Sequence, residues 1–236
     1  MKIAIHQPQY LPWPRYIHKV ISADIFVYLD TVQFSKNGPQ NRNQIKTSNG
    51  PAWLTVPVKH HFGQTIAETE IATAKATAKH WRTIQANYAR TEGLVRFGDE
   101  LQSLLELDHK SLSDLAIAST EFMLNQLNAP TKRIKASDLA GVEGQSSERV
   151  ASICKALEAD TYLTGQGALN YLDPTDFDRI NCAIEVQEWT AFEYEQSFPE
   201  VGFVPDLSTI DLLLNCPDAT DSLIRTAGRW VQLQNR

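Results

Sequence analysis

The first thirty residues constrain the fold most. A short apolar run at 2–5 (KIAI) leads into His6, and a second at 25–29 (IFVYL) leads into Asp30. β-Branched and aromatic residues dominate both, which predicts short buried strands. Between them, 14–22 opens with Pro14 and sets Tyr16, Ile17, Val20 and Ile21 at helical spacing, with proline where a first helical turn accepts it. The expected unit is strand, crossover helix, parallel strand.

Downstream, 33–50 is polar and rich in Asn and Gly, hence expected loop. WLTVPV at 53–58 predicts a strand with Pro57 near its margin, and 64–71 is open between strand and turn. Helical patterns cover 74–89, 101–107 and 112–127, with Leu112, Leu115, Ala116, Phe122 and Met123 on one stripe. A further helix is expected at 147–158, capped by Ser146 or Ser147. Strands at 161–163 and 183–187 flank a Gly-containing loop at 164–167. A short helix at 208–215 is expected to be capped by Ser208, with Asp211 as its capping-box acid. Helices interspersed with short apolar strands define an α/β protein with a mixed or mostly parallel sheet. The 236 residues suit a single domain, with 74–127 as a helical insertion or subdomain.

Composition excludes several classes. No apolar run approaches the roughly 18–20 residues that span a bilayer. The N-terminus lacks the pattern of a secretory signal. Three widely spaced cysteines without a CxxC pair suit a reducing compartment, so the expected location is cytoplasmic. A net charge of −6 argues against a nucleic-acid partner. The stretch from Lys36 to Lys59 nevertheless holds Lys36, Arg42, Lys46 and Lys59 and no acid, which would focus an anion near one end of the fold.

Polar groups just past the carboxyl ends of adjacent parallel strands share the crevice where such sheets bind ligands. His6 and Asp30 meet that condition, His6 as general base and Asp30 as its orienting partner. Gln7 sits on a bend stiffened by Pro8 and Pro12. His18, in the first helix, could converge with His6 on a phosphate or a metal. The segment QFSKNGPQNRNQIK supplies Gln33, Gln40, Asn41 and Asn43 as amides for reading hydroxyls, with Lys36 and Arg42 as phosphate or carboxylate clamps. His80 lies on a helix face from which a cleft is reachable. Gly165 and Gly167 form a lone GxG after a strand, short of a dinucleotide fingerprint. No HExxH, GxSxG or Cys/His cluster is present, and whether a metal binds stays open.

The opening HQPQYLPW, the run DTVQFSKNGPQNRNQI, and the later KHW, YLTGQGALNYLD and LSTIDLLLN resemble the WbqC-like protein family over almost the whole chain. The resemblance implies a bacterial protein associated with surface-polysaccharide and O-antigen synthesis, with amino-acid (glycine) transfer to sugars as the suggested activity. It adds Tyr10, Tyr171 and Asp211 to the substrate-binding candidates and supports the others named above. There are two departures: Gln9, where relatives often carry Asn and the amide is kept, and Asn37-Gly38-Pro39, which implies a substrate pocket that differs from theirs. A fainter likeness, a strand ending in His followed by a helix, is to the nucleotidyltransferase-like (Rossmann-like) fold of pantothenate synthetases. The paired-histidine HxGH form is missing, because Gln9 stands three residues after His6. The leading expectation is a transferase acting on an activated sugar or another anionic small molecule, with Mg²⁺ accompanying a nucleotide or nucleotide-sugar. Its rivals are nucleotidyl transfer and a non-catalytic sugar- or nucleotide-binding module.

Overall fold

The computed structural model describes residues 1–233. Its centre is a mixed sheet built on the opening unit: β1 (Lys2–His6), helix α1 (Pro14–Ile21) and β2 (Ile25–Tyr28). β1 pairs in parallel with β2 in the register Ile3 to Ile25 through His6 to Tyr28. The segment expected as loop at 33–50 holds a strand instead. β3 (Arg42–Thr47) and β4 (Gly50–Thr55) form an antiparallel hairpin pairing Arg42 with Thr55 and Thr47 with Gly50. A second two-stranded ribbon joins β5 (Val58–Lys59) to β6 (Glu70–Ile71).

Three helices follow: α2 (Ala78–Tyr88), α3 (Glu92–Glu106) and α4 (Leu112–Gln126). α3 begins nine residues before the predicted 101. Thr91 and Ser111 cap α3 and α4 by accepting the Leu94 and Asp114 amides. The chain then returns to the main sheet as β7 (Lys132–Lys135), crosses its opposite face as α5 (Ser146–Ala156), and continues as β8 (Thr161–Gly165). α5 begins at Ser146 with Gln145 as its N-cap residue, so neither serine caps it through its side chain. A 3₁₀ turn at Gln166–Asn170 and α6 (Pro174–Asp178) lead to β9 (Ala183–Trp189). α7 (Thr209–Asn215), α8 (Thr220–Ala227) and β10 (Gly228–Gln232) complete the described chain. Ser208 caps α7 as expected, accepting the Ile210 amide.

The sheet order is β10-β9-β8-β1-β2-β7, parallel throughout except for the antiparallel edge strand β10. β2 and β7 extend to one side of β1, and β8 and β9 to the other. The direction of winding therefore reverses between β1 and β8, and the loops that leave their carboxyl ends diverge to opposite faces. Such a divergence leaves a crevice at that edge. One face, with Ile3, Ile5, Val27 and Tyr162, packs against α5 and α6 residues such as Val150, Ile153 and Phe177. The other face, with Ala4, Phe26, Tyr28 and Leu163, shares one continuous core with α1, α2, α3, α4 and α7. The outer strand β7 reads KRIK, and Arg133 and Lys135 pair with Glu121 and Asp114 of α4. A charged edge discourages pairing with another chain. Among the described residues no helix is long and apolar enough to cross a membrane.

Candidate functional site

His6 stands at the carboxyl end of β1 and Gly165 at that of β8, so the two flank the crevice where the winding reverses. A cleft of about 720 Å³ opens there, lined by His6, Gln9, Trp13, Arg15, Lys19 and Trp189 among others. A second hollow of about 240 Å³ lies on the far side of His6 and Lys19, which line both, together with Gly165 and Gly167.

The His6 ring packs edge-on against Tyr16, with centroids 5.1 Å apart. Its Nδ1 is 3.0 Å from the Gln7 carbonyl, which can only accept, so Nδ1 carries the proton. Burial, and next the positive charge of Lys19, push the imidazole pKa down to about 3. His6 is therefore a neutral Nδ1–H tautomer at physiological pH, with the Nε2 lone pair as its remaining polar position.

Lys19 is the residue that sequence reasoning missed. It lies on the first helix between the apolar positions 17 and 20, yet only 6% of it is exposed. Its ammonium has no hydrogen-bond or ion-pair partner among the described residues. It lies so close to Gly165 that a Cβ there would stand 3.2 Å from Nζ. Burial, reinforced by nearby Arg15, lowers its pKa to about 8. The other cations of the cleft are compensated: Arg15 lies 3.4 Å from Asp206, and Arg229 donates to Glu188 at 2.6 Å. Gln9 adds a buried side-chain carbonyl without a partner. Unmatched positive charge in a low-dielectric crevice attracts an anion.

The remaining candidates separate into groups. Gln7, Gly165, Gly167 and Tyr171 reach the hollows around His6, and Gln33 lines a further hollow beyond them. Asp30 does not orient His6. Its carboxylate accepts the Ser137 amide at 3.0 Å and the Ser137 hydroxyl at 2.7 Å, fixing the chain after β7 to the end of β2. Lys36 sits exposed on a turn, and Arg42 lies over the Trp53 ring with its guanidinium carbon 4.2 Å from the centroid. Neither lines the cleft with His6.

Most of the amide-rich segment is structural. Gln40 donates to the Gln7 side chain at 2.7 Å and accepts the Ser35 amide at 2.8 Å. Asn41 donates to the Val56 carbonyl at 3.0 Å and Asn43 to the Leu11 carbonyl at 2.6 Å. These bonds tie the proline bend, the hairpin and the turn before it together, meeting backbone groups that burial would otherwise strand.

Four further candidates are also interior ties. His18 accepts from the Gln187 amide at 2.8 Å and stacks on Trp230, with centroids 5.7 Å apart. His80 and Tyr10 are buried and bonded to each other at 2.8 Å. Asp211 is no capping-box acid. Its buried carboxylate accepts from Tyr88, from Tyr194 at 2.8 Å and from the Lys46 amide at 3.2 Å, joining α2, β3, α7 and the stretch before the 3₁₀ turn at Pro199–Val201. Among the described residues no group of three or more His, Cys, Asp or Glu could hold a metal ion.

Fold and site together define an α/β protein with a cationic crevice at the carboxyl edge of a mostly parallel sheet. The chain belongs to the WbqC-like protein family, whose pattern matches residues 7–222, as its opening motifs indicate. It is also 33% identical over 218 residues to the uncharacterized protein Rv1507c of Mycobacterium tuberculosis (strain ATCC 25618 / H37Rv), a match that covers 91% of this chain and 93% of that one.

Proposed function

We propose that this protein is a transferase whose donor carries a phosphate or similar anion, such as an activated sugar or a nucleotide-linked group, held in the crevice between β1 and β8. One observation carries the reading: the Lys19 ammonium is buried at the point where the winding reverses, has no acid partner among the described residues, and faces the same space as His6. A buried cation without a counter-ion is costly, and a ligand anion supplies the missing partner. Trp13 and Trp189 provide flat apolar walls suited to a base or sugar ring.

In the transfer step an acceptor hydroxyl attacks the activated centre and its oxygen forms the new bond. The bond to the phosphate-bearing leaving group breaks, and that group departs with the electron pair. The hydroxyl proton passes to His6 Nε2, and the negative charge gathering on the leaving group lies beside Lys19. Family membership supports a role in surface-polysaccharide synthesis, where glycine or another amino acid is a candidate group for transfer. The strand order supports the Rossmann-like, nucleotide-handling variant of the reading.

The test is calorimetric titration of the wild type and Lys19→Met with nucleoside diphosphates and with inorganic pyrophosphate. Binding by the wild type, with a loss of tenfold or more in the variant, is expected, since a charge-assisted hydrogen bond contributes about 1.5–3 kcal/mol. Equal affinity in the two proteins would refute the anion site. A non-catalytic module would bind equally well and, incubated with sugar acceptors, give no product by mass spectrometry.

A further inference from the structure

The crevice does not end at His6. Beyond the hollow of about 240 Å³ lies another of about 530 Å³, and Gln7, Leu29, Val150 and Tyr171 line both. The groove thus runs along the carboxyl edge of the sheet from β9 across β8 and β1 to β2, with His6 and Lys19 at its waist.

The lining of the far half differs in chemistry from that of the first cleft. No acidic side chain lines either hollow. Arg149 donates to the Gly144 and Thr31 carbonyls at 3.0 and 3.2 Å, and no carboxylate pairs with it among the described residues. The side chains of Gln33 and Gln145 have no hydrogen-bond partner among the described residues. Gln7 keeps its amide N–H groups free, because Gln40 occupies only its carbonyl oxygen. The Tyr171 ring is 48% exposed although its backbone amide is fixed to the Ala168 carbonyl at 3.0 Å.

A half-exposed, positioned aromatic face flanked by amides and hydroxyls suits a ring that is apolar on its faces and hydroxyl-rich at its rim. An amine acceptor fits poorly. It would be an ammonium at neutral pH, and the far half of the groove offers it Lys19 and Arg149 but no acid among the described residues.

We propose that the far half of the groove, around Tyr171, Gln7, Gln33 and Arg149, is an acceptor subsite for a sugar, which presents a hydroxyl across the His6–Lys19 waist to the donor in the first cleft. This rests on the transferase reading for its purpose but not for its binding prediction. His6 and Lys19 line the hollow on this side as well as the first cleft, so a sugar hydroxyl reaching the waist would stand beside both.

The two halves are tested separately by backbone-amide NMR, with inorganic pyrophosphate as one probe and millimolar glucose, galactose, mannose and N-acetylglucosamine as the other. A sugar is expected to shift the amides of Leu29, Thr31, Gln33 and Tyr171, and pyrophosphate those of Gly165, Gly167 and Trp189. Tyr171→Ala should weaken the sugar by about tenfold and leave pyrophosphate unchanged, while Lys19→Met should do the reverse. Gln33→Ala, at an exposed position, replaces Tyr171→Ala if that variant misfolds, and should weaken the sugar several-fold. Sugar shifts confined to the first cleft, no sugar shifts at all, or full sugar affinity in both far-half variants would overturn the subsite. Sugar binding in the far half without pyrophosphate binding at Lys19 would uphold the subsite and sink the donor reading instead.

Discussion

Replacing Lys19 with Met removes the buried charge and keeps an unbranched chain of similar length. In the folded protein the ammonium pKa lies near 8, against 10.5 for an unhindered lysine. A difference of about 2.5 units, at about 1.36 kcal/mol per unit, makes the charged form cost the fold roughly 3 kcal/mol at pH 7. The sign is that of a depressed base. The unfolded chain binds the proton more tightly, so the penalty is full below pH 8 and shrinks as pH rises from there towards 10.5. Lys19→Met should therefore stabilise the protein at pH 7, by up to roughly 6–12 °C in Tm for a chain of this size. At pH 9.5, where the wild-type lysine has lost its proton in the folded state, the advantage should fall to about 1.4 kcal/mol. Calorimetric melting and urea titration at the two pH values measure both figures. A variant no more stable than wild type at pH 7, or one whose advantage is unchanged at pH 9.5, would refute the claim that Lys19 is held charged and unpaired.

Three shorter expectations accompany it. Gly93→Ala ordinarily strengthens a helix by up to about 1 kcal/mol. Here its Cβ would stand 2.4 Å from the Leu213 carbonyl oxygen and 2.5 Å from the Leu214 Cα, so urea titration should instead show a loss of about 1–3 kcal/mol, and a gain would disprove this helix contact. Asp211→Asn leaves one acceptor oxygen for the Tyr88 and Tyr194 hydroxyls, the Lys46 amide and the Asn215 side-chain amide. A loss of about 1–3 kcal/mol in the same titration is expected, with less than half of that arguing against a four-donor hub. Proton binding by His6 is held near pH 3 in the empty protein, and NMR titration of its ring should find the pKa raised by pyrophosphate; an unmoved value would separate His6 from the anion site.

The opening strand–helix–strand was legible because its apolar runs and Pro14 act locally, and the structure places β1, α1 and β2 within a residue or two of expectation. Other elements follow rules that periodicity does not register. β3 reads RNQIKT, yet Asn43 and Lys46 are buried, Asn43 by bonding to the Leu11 carbonyl rather than by being apolar. β7 consists of charges because it is an edge, and so gives no strand signal. The N-terminal half of α3 contains Gly93 and Gly98, residues of low helix propensity. In the fold they let α3 approach α7 and Trp81 closely.

The site divides the same way. His6, Gly165 and Gly167, expected at strand ends, line the crevice, whereas Asp30, Gln40, Asn41 and Asn43 stand where the topology needs stitching, and Lys36 and Arg42 lie away from it. Lys19 gave no warning, because one lysine beside an apolar stripe reads as solvent-facing. All of positions 16–20 are buried here, since α1 is short and lies between the sheet and α4 and α8 with its end against the crevice.

The two central groups restrain each other. Lys19 lowers the basicity of His6, and burial disfavours the charge on both. Without a bound anion the crevice thus pairs a histidine too weakly basic to take a proton from an acceptor with a cation that has no counter-ion among the described residues. On the proposed transferase reading, an anionic donor would alter both at once. Its charge satisfies Lys19, cancels the repulsion that Lys19 exerts on the imidazole, and stabilises an imidazolium next to it. The proton acceptor thereby gains strength only when the leaving group is in place. On that reading an acceptor sugar that arrived first would meet a neutral ring with little capacity to activate it, so donor-first ordered binding is the expected outcome, and initial-velocity and product-inhibition patterns showing acceptor-first binding would refute it.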